Sequence, residues 1–255
     1  MLKVDPIPAF SDNYIWLLSH ENSACVVDPG DAQPVIDCLE SRGLTLTDIL
    51  ITHHHFDHVG GLDALVERYA PVIYGPNNPG IEQITRRVAA GDRVSVLGSD
   101  FQVLEVPGHT LDHIAFFRDG DDPLLFCGDT LFAGGCGRVF EGTPEMMHAS
   151  LQRLAVLPEA TRIYCAHEYT LANLAFAAAV EPGNSALQER IRAAEALRAA
   201  DTPTVPSQIG LELATNPFLR CQESALLDSL AAQGRLSGQT GPEVFATVRG
   251  WKDNF

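Results

Sequence analysis

Hydrophobic residues in the first two thirds of the chain occur in short runs that end at turn-forming residues. Two successive runs, NYIWLLS and SACVVDPG, predict a pair of strands. Similar runs predict further strands at DILITH, PVIYG, RVSVLG, FQVLEVPG, HIAFFRD, PLLFCGD and TRIYCAHE. Helices are predicted at residues 33–42, at GGLDALVERYA and at residues 144–157. Many short strands with few helices favour two packed sheets with helices outside them.

After about residue 169 the pattern changes to a helical period. The segments LANLAFAAAV, SALQERIRAAEALRAA and SALLDSLAAQG are rich in Ala and Leu, and each predicts a helix. TPTVPSQIG is a proline-rich connector between them. The tail PEVFATVRGWKDNF predicts a last helix, with Pro242 near its first turn. The sequence therefore predicts an α/β domain over residues 1–169 and a smaller, all-helical domain over residues 170–255.

Composition narrows the possible functions. The formal net charge of −16 disfavours binding to nucleic acid, because phosphates need a basic surface. No apolar run approaches the ~18 residues that a membrane-spanning helix needs, so no membrane association is expected. The first residues show no basic segment followed by an apolar stretch, which favours a cytoplasmic location.

Six cysteines are spread along the chain without a C-x-x-C pair. This spacing disfavours a disulfide framework and a cysteine-ligated zinc module. Most of the cysteines lie in apolar runs, so they are expected to be small buried residues, and a packing role is also favoured for Cys136.

Candidate chemistry is concentrated in the segment THHHFDH. His53 and His55 are two positions apart just beyond a predicted strand, so their side chains can point to the same side and reach one ion. Asp57 and His58 follow the turn and could face a second ion. Imidazole and carboxylate together suit zinc, iron or manganese. A chance histidine-rich loop is disfavoured because protonated neighbours would repel each other.

Three more ligand-type residues follow apolar strands. These are His109 in EVPGHT, Asp129 in FCGDT and His167 in YCAHEYT. Each residue alone is weak evidence for a metal ligand. The shared pattern of strand, small residue and ligand-type residue strengthens the prediction for all three. The other histidines are expected elsewhere: His54 pointing away from its neighbours, His113 near the site or in the core, and His20 and His148 at the surface.

The combination T-H-x-H-x-D-H, G-H-T, G-D-T and H-E-Y resembles the metallo-β-lactamase superfamily. The resemblance implies an α+β fold, an αββα sandwich with the metal site at one edge of its two sheets. It also implies that His53, His55 and His109 bind one metal, that Asp57, His58 and His167 bind the other, and that Asp129 bridges both. The two ions would share a hydroxide, and Asp57 and Asp129 would be the catalytic residues that act with it.

Four further segments are similar to the glyoxalase II (hydroxyacylglutathione hydrolase) family: LFAGGCGRVFEGTPEMM, AHEYTLANLAFA, TVPSQIGLELATNPFLR and FATVRGWKDNF. That likeness implies hydrolysis of S-D-lactoylglutathione, a 2-hydroxyacylglutathione thioester, to D-lactate and glutathione, the second step of methylglyoxal detoxification. It implies substrate contacts from Arg138, Phe140, Tyr169, Arg249 and Lys252. Arg and Lys suit the two carboxylates of glutathione. An ordinary solvated helix face is the alternative for Arg249 and Lys252.

Two positions depart from the glyoxalase II pattern. Phe140 lacks the hydroxyl of the tyrosine found in some members, and Ala166 replaces the common glycine before the last ligand histidine. The implied cofactors are two divalent ions per chain, with zinc favoured and iron or manganese as alternatives. The enzyme is expected to act as a monomer. The competing hypotheses are a one-iron persulfide dioxygenase, a nucleic-acid phosphodiesterase and a non-catalytic metal-binding protein.

Overall fold

The computed structural model describes residues 2–255, which divide into two compact units. The first contains the residues up to Glu105 together with Asp112–Gly128, and the second contains Val106–Leu111 together with Asp129–Phe255. The domain boundary after residue 169 stays a prediction. No helix within residues 2–255 combines the length and the apolar character needed to cross a membrane.

The first unit contains a six-stranded sheet whose strands follow one another in chain order. The strands are β1 (Lys3–Ala9), β2 (Asn13–His20), β3 (Ser23–Val27), β4 (Thr45–Leu50), β5 (Val72–Gly75) and β6 (Arg86–Arg87). The pairs β1–β2 and β2–β3 are antiparallel, and the pairs from β3 to β6 are parallel. The histidine cluster follows the end of β4. It therefore lies where the parallel strands β3, β4 and β5 have their C-terminal ends.

Three helices belong to this sheet: α1 (Ala32–Arg42), α2 (Phe56–Val59) and α3 (Leu62–Tyr69). The Asp31 side chain accepts a hydrogen bond from the Gln33 amide and begins α1, and Gly43, with φ of 63°, ends it. Apolar side chains of α1 and α3, such as Leu39 and Leu65, pack with those of the strands in one buried cluster. Burial of this cluster holds the sheet and its helices together.

Four antiparallel strands of the first unit form a second layer in the order β10, β9, β8, β7. They are β7 (Arg93–Val96), β8 (Ser99–Glu105), β9 (Ile114–Arg118) and β10 (Leu124–Gly128). The two layers meet beyond the end of β4, where the Ile114 amide donates to the Thr52 carbonyl at 2.9 Å. A β-carbon on Gly128 would lie 2.3 Å from Thr52 Oγ1, so this approach requires glycine.

The second unit contains mostly helices. Its elements are β11 (Leu131–Phe132), β12 (Gly135–Cys136), α4 (Pro144–Ala155), β13 (Arg162–Cys165), α5 (Thr170–Val180), α6 (Ser185–Ala199), β14 (Ser207–Gln208), α7 (Ile209–Thr215), α8 (Ser224–Ala232) and α9 (Gly241–Lys252). The pairs β11–β12 and β13–β14 are antiparallel. Helix α9 begins with a capping box between Thr240 and Glu243, which explains why the chain turns into a helix there.

The predicted strands and helices are confirmed; the short elements α2, β6, β11 and β12 were not predicted, and two further segments differ. Lys3–Ala9 forms β1 although it contains Pro6 and Pro8; it is an edge strand, the place in a sheet where proline is tolerated. The prediction of a connector at TPTVPSQIG is wrong for its last residues. Ser207–Gln208 forms the strand β14, and α7 begins at Ile209. Pairing with β13, a tertiary contact, creates this strand.

Candidate metal centre

The loop after β4 is fixed by a buried carboxylate of the first unit. Asp28 accepts hydrogen bonds from the Thr52 amide and from the Thr52 hydroxyl, both at 2.7 Å. Its Oδ2 is also 3.0 Å from Nδ1 of His58. A carboxylate at Nδ1 favours a proton there, which leaves Nε2 of His58 as the nitrogen that can bind a metal.

His53 and His55 project toward each other beyond the end of β4. Nε2 of His53 lies 3.2 Å from Nδ1 of His55. Two imidazole nitrogens that share a tetrahedral zinc ion at ~2.0–2.1 Å would be separated by about this distance. The His53 ring is held in place because it stacks on His113, with ring centroids 4.5 Å apart. The pair therefore fits one divalent ion.

Asp57 and His58 share the first turn of α2. Oδ2 of Asp57 is 3.5 Å from Nε2 of His58, and the same oxygen accepts a hydrogen bond from Nδ2 of Asn13 at 3.0 Å. A β-carbon on Gly30 would lie 1.9 Å from the Asp57 carbonyl oxygen, so only glycine allows this close approach of the two backbones. The turn thus carries one carboxylate and one imidazole in ligand geometry.

His54 makes a separate interaction. Its Nδ1 lies 2.9 Å from Oδ1 of Asp112, and Asn78 donates to the other oxygen of that carboxylate at 2.7 Å.

Within the first unit, possible ligand atoms of Asp28, His53 and His58 all lie within 4.8 Å of one another. The buried end of this loop is therefore rich in groups that can hold a cation.

In the second unit, one carboxylate faces two imidazoles. Oδ2 of Asp129 lies 3.3 Å from Nε2 of His109, and Oδ1 lies 3.3 Å from Nε2 of His167. All three side chains are buried. Because each oxygen faces a different histidine, this carboxylate is placed to share a cation with either imidazole.

Backbone and aromatic contacts orient the two histidines. Nδ1 of His109 lies 2.7 Å from the Arg138 carbonyl oxygen, which can only accept, so Nδ1 carries the proton and Nε2 is left for a metal. The ring of Tyr169 stacks on His167, with centroids 4.7 Å apart and the planes 5° from parallel. Phe140 places its ring 5.3 Å from that of His109.

The basic residues near the C-terminus differ in exposure. Arg249 is only 7% exposed, and it donates to the Cys136 carbonyl at 3.2 Å and to Oδ1 of Asp253 at 2.9 Å. Burial excludes the solvated-face alternative for this residue. Lys252 is half-buried, and burial followed by the neighbouring Arg249 charge lowers its pKa. Burial raises the pKa of the Cys136 thiol to about 11, which fits a packing role for this cysteine.

Arg138 is the more accessible basic side chain. Its side chain is 62% exposed, its Nε lies 3.9 Å from Oδ1 of Asp253, and its guanidinium lies 5.6 Å from the centre of the Phe140 ring. Arg138 and Arg249 therefore share the carboxylate of Asp253.

The structure also corrects one prediction and adds two residues. His148 was expected at the surface, but it is buried, because α9 covers it with Gly241 and Phe245. Sequence reasoning missed Asp28, although VVDPG shows the same pattern of an apolar strand followed by a carboxylate. It also missed Asn13, for which the sequence contains no signal.

Comparison with known proteins agrees with this description. Residues 9–167 match the family model of the metallo-beta-lactamase superfamily, so the chain belongs to that superfamily, and the predicted fold class is confirmed. Residues 168–255 match the model of the hydroxyacylglutathione hydrolase C-terminus. A hydroxyacylglutathione hydrolase of Chromohalobacter salexigens is 56% identical over 257 residues, with 100% of both chains covered. Within the superfamily, the chain is thus a member of the hydroxyacylglutathione hydrolase family.

Two crystal structures show similar folds. ETHE1 from Myxococcus xanthus has a TM-score of 0.66 and 26% identity, covering 99% of this chain and 98% of its own. TTHA1623 in a di-iron-bound form has a TM-score of 0.61 and 26% identity, covering 84% of this chain and 100% of its own.

Proposed function

We propose that this chain hydrolyses S-D-lactoylglutathione, and related 2-hydroxyacylglutathione thioesters, to the hydroxy acid and glutathione. The observation that carries the proposal is the 56% identity to a hydroxyacylglutathione hydrolase over the whole chain, which includes the C-terminal region. The buried imidazoles and carboxylates supply the ligand chemistry that a metal-dependent hydrolase needs. Action as a cytoplasmic monomer is part of the same proposal.

The same proposal includes two divalent ions per chain, with zinc favoured and iron or manganese as alternatives. His53, His55 and His109 would hold one ion, Asp57, His58 and His167 the other, and Asp129 both. Support comes from the two oxygens of Asp129, each 3.3 Å from a different histidine, and from the di-iron form of TTHA1623. When bound, such ions lower the pKa of water and polarise the carbonyl under attack.

The chain's own side chains would orient both the metal centre and the glutathione thioester. Asp57 accepts a hydrogen bond from Asn13, and Asp129 presents one oxygen to each of two histidines, so both carboxylates would be oriented before the substrate binds. Arg138 and Lys252 would pair with the carboxylates of glutathione, and Tyr169 and Phe140 would border the thioester. Arg249 is buried, so it would support the substrate site indirectly, through its hydrogen bonds to the Cys136 carbonyl and to Asp253.

The decisive experiment measures the loss of thioester absorbance of S-D-lactoylglutathione, with metal analysis of the same sample. We expect hydrolysis without oxygen uptake and close to two metal ions per chain. One iron per chain together with oxygen consumption on glutathione persulfide would instead support the persulfide dioxygenase hypothesis and overturn the proposal.

A further inference from the structure

The turn between β11 and β12 connects a proposed metal ligand, Asp129, to a backbone group that orients another, His109. Asp129 stands just before the turn, and the Arg138 carbonyl, which holds Nδ1 of His109 at 2.7 Å, stands just after it. The two ends are close together: the Gly137 amide donates to the Thr130 carbonyl at 3.2 Å, and a β-carbon on Gly137 would lie 1.8 Å from the Asp129 carbonyl oxygen. A shift of the turn would therefore move both groups.

Polar side chains from the helical region hold this turn by its backbone. Oε2 of Glu212 accepts a hydrogen bond from the Gly134 amide at 2.9 Å. Nδ2 of Asn216 donates to the Gly135 carbonyl at 2.9 Å and to the Phe132 carbonyl at 3.3 Å. Asn173 of α5 donates to the Ala133 carbonyl at 3.2 Å. The turn thus depends on residues far away in the sequence.

Glu212 is itself held firmly. It is fully buried, at 0% exposure, and Arg190 forms an ion pair with its Oε1. The Ser207 hydroxyl donates to the same oxygen, and Nδ2 of Asn216 donates to Oε2 at 2.9 Å. A buried carboxylate with this many donors keeps one orientation, because any other leaves a charge without its partners.

We propose that Glu212, acting with Asn216, is a positioning residue for the metal centre. Through the turn, the pair fixes the Asp129 carboxylate and the Arg138 carbonyl that orients His109. The helical region therefore sets metal affinity in addition to any contact with glutathione. This inference rests on the ligand roles of Asp129 and His109 in the proposed function.

The test uses the full-length holoenzyme with Glu212→Gln, Glu212→Ala and Asn216→Ala. Zn²⁺ affinity is measured by competition with a chromophoric chelator, alongside kcat, KM and the melting temperature. Groups bonded directly to metal ligands typically contribute about 10–100-fold to affinity, and Glu212 and Asn216 act one step further away through the turn, so we expect Zn²⁺ to bind about 3–10-fold more weakly in Glu212→Ala and Asn216→Ala. Gln at position 212 keeps an acceptor for the Gly134 amide, so its loss should be smaller than that of Ala.

Glu181→Gln is the matched control. Glu181 is also a buried carboxylate of the helical region, and Arg220 donates to it from two nitrogens, at 2.8 and 3.0 Å, but no hydrogen bond joins Glu181 to the turn. This variant should lower the melting temperature, as loss of a buried ion pair does, while Zn²⁺ affinity stays within about twofold of the wild type, since distant sites act independently.

Gly134→Ala disturbs the turn without touching the ion pair. Gly134 has φ of 69°, and a β-carbon there would lie 2.7 Å from Cδ2 of Leu174, so it should also weaken Zn²⁺ binding, even where the Glu212 variants fail to fold. Unchanged Zn²⁺ affinity in folded Glu212, Asn216 or Gly134 variants would overturn the inference. A wild type that binds Zn²⁺ but leaves S-D-lactoylglutathione intact would overturn only the proposed function.

Discussion

At the scale of single residues, the carboxylates of Asp28 and Asp129 have different tasks. Asp28 bonds to Thr52 and to Nδ1 of His58, so it orients a candidate ligand through the ring nitrogen that would not bind the metal. Asp129 faces Nε2 of His109 and of His167 with separate oxygens, so it can bind metal directly. The difference lies in which ring nitrogen each carboxylate approaches.

Replacement of Asp129 should therefore affect both ions. We expect Asp129→Ala to remove most of the hydrolytic activity and to lower the metal content below two ions per chain, because both imidazoles lose their shared carboxylate. Metal analysis and single-turnover hydrolysis provide the measurement. A variant that retains two ions and the full rate would contradict the bridging role.

Lys252 and Arg138 should act on substrate affinity. We expect Lys252→Ala and Arg138→Ala to raise KM for S-D-lactoylglutathione by about 3–30-fold with a smaller effect on kcat, as loss of a charge-assisted hydrogen bond worth about 1 kcal/mol or more does. Steady-state kinetics at low and high salt measure both constants. Unchanged KM in both variants would remove these residues from the substrate site.

At the scale of elements, helices α4 and α9 pack around a buried histidine. His148 of α4 lies against Phe245 of α9, with ring centroids 6.0 Å apart, and burial lowers its pKa. A β-carbon on Gly241 would lie 2.8 Å from Nε2 of His148, so the helices are too close there for a larger residue. The neutral imidazole is part of this packing.

This arrangement predicts a pH dependence of stability. Because the pKa of His148 is lower in the folded than in the unfolded state, the unfolded state binds more protons at acidic pH. Its contribution to the free energy of unfolding is fully present above the unfolded pKa of about 6.5 and is lost as the pH falls toward the folded pKa. His148→Gln should show a weaker loss between about pH 7 and 5 in denaturant titrations. The same dependence of the free energy of unfolding on pH in the wild type and in His148→Gln would contradict this prediction.

At the scale of the whole molecule, candidate ligands within each unit come from distant parts of the chain, as do His109, Asp129 and His167 of the second unit, so only the folded state brings them together. Divalent ions should therefore stabilise the folded state. Dialysis against a chelator should lower the melting temperature, and added Zn²⁺ should restore it, since a ligand at 100 times its dissociation constant adds about 2.7 kcal/mol. An unchanged melting temperature in metal-free protein would count against a metal bound in the folded state.

Much of the fold could be predicted from the sequence because its signals are local. The apolar runs with turn residues at their ends marked the strands, and the change to a helical period marked the region after residue 169. The candidate ligands His53 and His55 followed from the alternation of side chains beyond a strand. The prolines of β1 and of TPTVPSQIG hid two strands, and the two-residue strands β6, β11 and β12 are too short for a sequence pattern, because their pairing depends on a partner elsewhere in the chain.

The sequence by itself thus determined the element types, the fold class and the ligand-type residues, since all of these depend on local period and on motif spacing. Only the tertiary structure decided which groups orient those ligands. Asp28 reaches Thr52 across 24 positions, and Glu212 reaches Gly134 across 78. The packing of α9 against α4 also buries His148. A local pattern gives the direction of a side chain, whereas its partner depends on which distant segment packs against it.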